Sequence, residues 1–485
     1  MIDRDLDVAI SQFAPGSETV KDKQVHSAVG VVEMRPGGRG VMSAQGFSPP
    51  LPAPNPHPIG LCERCQTVVW LDAADIDPES VHDSLAYCPV CSFEDRTLRV
   101  IDAREPKGFF TDLVPRDFDG QFDWRPRSTR PTMAVRNEQT TPPTSTNNML
   151  VRSLSDEVLS LNDGGGRGGF DFQAASIFGS ERSGAYAVNS GDGDQGRVTT
   201  SGDVYRVALL SRRKTDIMLT QMNDWPAGVF ADPLTVEGRA AWYSFAFWLR
   251  LAAGFQLDID PLELQSGFRS VSQDNRVVGQ AFLCDQLENG AGYCRELAHP
   301  NQLSMLLQQG DATRLASIAA KWANPLLSAN PTLHHSLACD TSCNRCLRDY
   351  HNLAYHGLLD WRLGLEMARL AVSPTAVISL DESWGDCHNP WLCLVRGPTA
   401  PIPVTLERLG FIATEKFARL RGYVHRNAKL KKLLIERHPL WQDDHEDWQV
   451  ATREATAHYP LHDVAAVNPF RVLRRPADSI SASSS

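Results

Sequence analysis

The chain has 485 residues, 42% of them hydrophobic and 22% charged, and a formal net charge of −10 at pH 7. That length calls for two or three domains, and the sequence has no run of about 18 apolar residues to cross a bilayer as a helix. The acidic balance excludes a protein whose whole surface binds nucleic acid, and leaves a local basic face or a more basic partner. The N-terminus, Met1 to Asp7, is acidic and has no apolar signal core, so a cytoplasmic protein is expected. In that compartment the eleven cysteines are read as metal ligands rather than disulfides.

Pro15-Gly16 predicts a turn, and Ala28–Glu33 a strand. Pro49 to Pro58 is proline-rich and predicts an extended spacer without hydrogen-bonded structure. Cys62 and Cys65 then form one C-x2-C pair, and Cys88 and Cys91 a second, with 22 residues between. This is close to the spacing of a zinc ribbon. Each pair makes a tight knuckle, and two knuckles close a tetrahedron of thiolates around one ion. Four thiolates leave no position open for water or substrate, so such a metal holds the fold together. Two redox dithiols would instead require a neighbouring βαβ pattern.

Leu98–Asp102 predicts a strand and Lys107–Asp112 a loop anchored by its aromatic residues. Residues 125–148 carry no apolar period and predict a linker. Glu157–Asn162 and Gly169–Phe172 predict short strands around the glycine run Gly164 to Gly169. That run lacks the G-x-x-x-x-G-K-[ST] pattern of a phosphate loop and predicts a flexible hairpin tip. Asn189–Gly202 predicts a surface loop. Val204–Leu210 and Ile217–Met222 predict two strands. Glu237–Leu257 predicts a largely buried helix, because Ala240, Phe245, Phe247, Trp248, Leu251, Ala252 and Phe255 cover a broad apolar surface. Val277–Cys284 predicts a strand, and Gly292–Leu307 and Asp311–Ala323 helices. The alternation points to a mixed α/β (α+β), multidomain protein.

Cys339, Cys343 and Cys346 follow at C-x3-C-x2-C spacing on a polar turn that runs into a helix-like segment, Leu358–Leu370. A short turn can aim three sulfurs at one centre, and Zn2+ takes four ligands in a tetrahedron. Cys294 is the first choice for the fourth; His356 and His351 come next.

This cysteine turn, with its Leu359-Asp360-Trp361 ending, resembles the zinc-binding domain that ends MrfA-type DNA helicases. That domain also occurs in DrmB, a subunit of the DISARM phage-defence system. Lys214-Thr215-Asp216, the helix around Trp242–Leu257, Phe282–Asp285 and Leu287–Tyr293 are similar to the family's pattern and keep its order. The resemblance covers about Arg206 to Leu370. MrfA clusters four cysteines, whereas three are clustered here. The two separated cysteine groups predict two Zn2+ sites, and the resemblance implies a DNA-processing or phage-defence complex, a superfamily 2 helicase partner, and single-stranded or junction-containing DNA. The chain itself has neither a Walker lysine loop nor a DEAD or DEAH motif, so the motor is expected elsewhere. A detached C-terminal half of an MrfA-like repair helicase is the alternative within this class.

A metal-dependent nuclease is the alternative from another class. Asp216, Glu263, Asp285, Glu288 and Glu296 lie near predicted strand ends, and two carboxylates can hold Mg2+ for attack on phosphate. Asp285 precedes the glycine turn Asn289–Gly292, so it can instead orient that turn. Beyond the cysteine turn, Ala376–Leu380 predicts a strand. Lys416, Arg419, Arg421, Arg426, Lys429, Lys431, Lys432 and Arg437 then make a basic stretch. It could neutralise phosphates, with Tyr423, His425 and Trp441 stacking on unpaired bases, or be a solvated helix face. The expected organisation is a β-rich module with its ribbon at 1–124, a linker at 125–149, the zinc-binding α/β domain at 150–371, a basic extension at 372–475 and a disordered tail at 476–485.

Overall fold

The computed structural model describes residues 4–37, 40–72, 85–112, 114–120, 130–134, 142–177, 180–188, 198–308, 339–344, 346–380, 389, 391–397 and 399–481. The chain divides into two compact units that interleave in sequence. One contains residues 1–138, 155–215 and 269–276; the other contains 139–154, 216–268 and 277–485. The expected boundaries group the chain differently. Residues 155–215 belong with the N-terminal module, and the basic extension belongs to the same unit as the second cysteine turn.

The first unit is built mainly of antiparallel strands. Glu18–Lys21 and Gln24–Val31 pair through a two-residue turn whose Asp22 and Lys23 both have positive φ, as a tight hairpin requires. Gln24–Val31 also pairs with Phe109–Thr111, so the expected aromatic loop there is an edge strand. Phe47, Phe172, Tyr186, Val207 and Leu209 fill the core beneath Ile10 of the helix Leu6–Gln12. The glycine run is a hairpin tip, but a pinned one. The Asp163 carboxylate accepts from the amides of Gly165 and Gly166, and Gly169 has its φ at +138° with Val207 backbone against its Cα.

The proline-rich segment is not a free spacer. Arg104, 2% exposed, pairs with Asp102 and donates to the carbonyls of Pro49, Pro50 and Ala53. Tyr186 donates its hydroxyl to the Leu51 carbonyl. A proline run offers carbonyls and almost no amides, so a buried guanidinium with five donors is a natural partner.

The second unit is mixed α/β. Its central helix, Val236–Leu257, starts where the Thr235 hydroxyl accepts from the Gly238 amide, and is buried over most of its length. It lies against the helix Trp361–Val372, and Gly364 allows the close approach to Ser244. Ile217–Thr220 pairs antiparallel with Ala281–Cys284. Val204–Leu210 and Ile217–Met222, expected as two strands, are parts of one strand, Val198–Met222. The helix expected at Gly292–Leu307 is two helices, Tyr293–Leu297 and Pro300–Gln308, broken where Pro300 removes an amide donor. Asp311–Ala323, 189–197 and about half of the expected linker lie outside the described residues, and the described part of that linker contains the short strands Arg130–Thr132 and Thr144–Thr146.

Past the cysteine turn, Ala376–Leu380 forms no strand. The helix Pro401–Arg408 precedes a four-stranded sheet in the order Phe411–Phe417, Leu420–His425, Lys432–Glu436, Asp463–Val467. The first three form an antiparallel meander, and the last is parallel to the third after a crossover through the helix Glu446–His458. The basic stretch is thus a strand hairpin rather than a helix face. Pro476–Ser481, expected as disordered tail, is a short helix. One apolar core runs through this unit and includes Trp242, Trp248, Trp361, Trp391, Tyr423 and Trp441.

Candidate metal centres

Strands Ile59–Cys62, Val68–Trp70, Leu85–Cys88 and Ser92–Ile101 pair in one antiparallel sheet. Their ends bring Cys62, Cys65, Cys88 and Cys91 together, all four sulfurs within 4.8 Å of one another. The Cys62 and Cys91 sulfurs are 3.5 Å apart, and those of Cys65 and Cys88 3.7 Å. A tetrahedron of sulfurs at about 2.3 Å from zinc has edges of about 3.8 Å, whereas a disulfide would be about 2.05 Å. The spacing therefore fits four ligands around one ion. The Cys65 amide donates to the Cys62 sulfur at 3.4 Å and the Val90 amide to the Cys88 sulfur at 3.5 Å, as the knuckles require. Thr67 and Thr97 hydroxyls lie at 3.0 Å from Cys65 and 3.4 Å from Cys62. The Ser270 hydroxyl holds the Cys65 carbonyl from behind.

Crowding perturbs Cys62, Cys65 and Cys91 in opposite directions. Hydrogen bonding from Cys65 pulls Cys62 far down, while the same contact pushes Cys65 far up. Burial, with the neighbouring Cys62, pushes Cys91 up to about 12. A divalent cation is the partner that lets crowded thiols ionise together.

Cys339, Cys343 and Cys346 form the second group, again within 4.8 Å of one another, with 4.0 Å between the outer two sulfurs. The Cys343 amide donates to the Cys346 sulfur at 3.1 Å. The helix Trp361–Val372 clasps this turn. Trp361 donates its indole N–H to the Cys339 carbonyl and its amide to the Thr341 carbonyl. Arg362, fully buried, donates to the Asp340 carbonyl. Asp349 and Asn352 close a capping box on the next turn, Tyr350–Tyr355.

The structure does not bring Cys294 into this group. Its amide is tied to the Asp285 carboxylate at 2.9 Å, and burial pushes its thiol well above the usual range. Packing between strand and helix claimed a cysteine that spacing offered as a ligand. Neither His351 nor His356 joins the group; the His356 ring is held by Asn352 and the Asp349 carbonyl. Among the described residues, three ligands come together at this site.

Four of the five carboxylates considered for catalysis are engaged in hydrogen bonds or ion pairs. Asp285 is fully buried and accepts from the amides of Ala291, Gly292, Tyr293 and Cys294. Asp216 pairs with Arg295, Glu263 accepts from the Tyr293 hydroxyl, and Glu296 accepts from Gln302. Among the described residues, no three of them come together to hold one ion.

Of the basic stretch, Lys416, Arg419, Arg426, Lys429 and Lys431 are exposed, and Arg421 and Lys432 half-buried. Arg426 pairs with Glu407. Arg437 turns inward to Asp443 and the Trp441 carbonyl and lies over the Trp448 ring. The aromatic residues do not face outward for stacking on bases. Trp441 is 3% exposed, donates to the Ile378 carbonyl and stacks on His445 with ring centroids 3.9 Å apart. Tyr423 is buried against Glu436. His425 packs edge-on against Phe411. The sequence signal that could have found this is the unbroken apolar run Leu433, Leu434 and Ile435 beside them, which marks a strand buried on both faces.

The chain is similar to Druantia protein DruE. The match to this Escherichia coli (strain UMEA 4076-1) protein is 27% identical over 394 residues, which is 75% of this chain and 19% of DruE. The chain thus spans about a fifth of the length of that relative. The crystal structure of DUF1998 helicase MrfA bound to DNA aligns with a TM-score of 0.30 at 10% identity, over 70% of this chain and 37% of that one. A score that low establishes no common fold. No family model matches the sequence. Among the described residues, no helix is long and apolar enough to cross a membrane.

Proposed function

We propose that this chain is a zinc-binding, non-motor component of a phage-defence or DNA-processing assembly, of the kind DrmB represents, acting in the cytoplasm beside a superfamily 2 helicase and contacting DNA. The observation that carries this reading is the 394-residue similarity to a Druantia protein, joined to the two thiol groups. The same similarity favours defence over the detached half of a repair helicase. The sequence has no Walker lysine loop, so ATP-driven work falls to sequence outside these 485 residues.

Zinc suits both groups because the donors are thiolates, which are soft, and at the ribbon the sulfur spacing matches a tetrahedron. At the ribbon the metal would crosslink Cys62–Cys65 to Cys88–Cys91 and do no chemistry. At the second group it would fix the turn that the Trp361 helix clasps. DNA contact falls to the exposed cations of the C-terminal sheet, through phosphates, because the buried aromatic residues leave no stacking platform there.

The test is reconstitution with any superfamily 2 helicase encoded beside this chain. A stable complex, loss of phage resistance on deleting the chain, and DNA affinity that falls with salt are expected. Changing Lys429, Lys431 and Lys432 to Glu should make the slope of log K against log salt shallower by about 2.7, at ~0.9 per phosphate contact. If the triple reversal breaks the complex and leaves DNA binding intact, the surface is a protein interface and the reading of it is wrong.

A further inference from the structure

The end of the C-terminal sheet that carries the Arg426–Lys431 turn combines two features that rarely occur together. Six consecutive residues, Arg426 to Lys431, are exposed between two buried strands. Within them Leu430 is 58% exposed, and Leu461, on the turn before strand Asp463–Val467, is 71% exposed. The two turns are neighbours: the Asp463 amide donates to the Lys431 carbonyl at 2.7 Å, and Lys432 is in register with Asp463. Cations surround the leucines. Arg426, Lys429 and Lys431 lie on the turn itself, and Arg408 is exposed at the end of the helix whose following turn receives the Arg426 amide. The acids at this end are Glu407, already paired with Arg426, and Asp463.

The turn is also set in shape. The Asn427 side chain accepts from the Lys429 amide, the Asn427 carbonyl from the Leu430 amide, and the His425 ring from the Asn427 amide. Lys431 holds a φ of +44°. A turn fixed in this way presents Leu430 in one place and gives it no local apolar cover.

We infer that this end of the sheet is a nucleic-acid wedge: Leu430, with Leu461 beside it, inserts against unstacked bases while Lys429, Lys431 and Arg426 hold the flanking phosphates. The inference rests on the DNA reading above and adds a mechanism to it. Lysine on both sides of the apolar residue argues against a protein partner, because lysine is depleted from the core of protein interfaces. In nucleic acid the two needs occur together, apolar base faces beside anionic phosphates, and leucine wedges flanked by cations unstack base steps in other systems.

The test uses the full chain and a forked DNA oligonucleotide carrying 2-aminopurine at the fork, read by anisotropy for binding and by fluorescence for unstacking. The wild-type chain should bind and brighten the probe. Leu430→Ala with Leu461→Ala should keep affinity within about threefold, since phosphate contacts carry most of it, and lose the brightening. Lys429→Glu with Lys431→Glu should weaken binding and make the salt slope shallower by about 1.8, at ~0.9 per contact. Brightening that survives loss of both leucines, with binding still lysine-dependent, overturns the wedge and leaves the DNA reading standing. No binding by the wild-type chain, alone or in complex with its helicase, overturns both. Leucine-dependent binding to vesicles of phosphatidylglycerol, without effect on the fork, overturns the wedge in favour of a membrane contact.

Discussion

Replacing Cys88 by Ser should weaken zinc at the ribbon by a calculable amount without emptying the second site. The sulfur pairs at 3.5 and 3.7 Å stand close to the tetrahedral edge of about 3.8 Å, so the ribbon needs little movement to take the ion. Structural zinc sites bind with apparent free energies of about 10–16 kcal/mol. Shared over four thiolates, one ligand contributes about 3 kcal/mol, a factor of about 100 in Kd. Competition with a chromogenic chelator at fixed pH reads that factor directly. The wild-type chain should yield about two equivalents of zinc in two releases, and Cys88→Ser should move one release about a hundredfold. Cys62→Ser with Cys65→Ser should remove that equivalent altogether. X-ray absorption at the zinc edge should show sulfur at about 2.3 Å, with fewer sulfurs per zinc at the Cys339 group than at the ribbon. Two equivalents bound with unchanged affinity after Cys62 and Cys65 are both lost would refute the ribbon as a metal site.

Asp285→Ala leaves four amides without their acceptor, and at about 1.5–3 kcal/mol for a hydrogen bond to a charged group, not fully additive, it should cost at least about 4 kcal/mol in urea unfolding. An Asp285→Ala protein as stable as the parent would remove that carboxylate from the structural account. Burial alone would raise the Glu237 carboxyl, but Arg471 more than offsets it and holds the group below its ordinary value of 4.5. The stabilisation from this pair is therefore present at neutral pH and fades as pH falls through the depressed folded value. Arg471→Ala should cost about 1 kcal/mol at pH 7, given the exposure of Arg471, and the difference from wild type should shrink in acid; a pH-independent difference would contradict the assignment. Arg104→Ala should free the segment Pro49–Pro58, and limited proteolysis should then cut there first.

The ribbon was legible in the sequence because a C-x2-C knuckle is a local object: four positions determine where its two sulfurs point. The central helix was legible for the same reason, since its broad apolar surface is written within one stretch. Cys294 was not legible. Its spacing left it available as a ligand, and what decided its position was the register of Ile217–Thr220 against Ala281–Cys284 and the carboxylate of Asp285 gathering the turn. The proline-rich segment failed for a similar reason. Composition alone describes it as a spacer, and the residue that pins it, Arg104, lies some fifty positions away.

The basic stretch divides along a line that no run of charges reveals. A buried charge needs a partner, and the cost of lacking one decides which cations stay in water. Arg437 has Asp443, the Trp441 carbonyl and the face of Trp448, and it turns inward. Tyr423 enters the core because Glu436 accepts its hydroxyl, and Glu436 can be buried because Arg396 faces it at 2.9 Å. Trp441 follows because the Ile378 carbonyl takes its N–H. Each inward residue is therefore accounted for by a partner: a local one for Arg437, the neighbouring strand for Tyr423, and distant segments for Glu436 and Trp441. Burial on these terms removes the aromatic residues from any nucleic-acid surface and leaves the cations of the Arg426–Lys431 turn on it. The apolar side chains that remain with them are Leu430 and Leu461, which is why the contact expected there is a wedge against bases rather than stacking on aromatic rings.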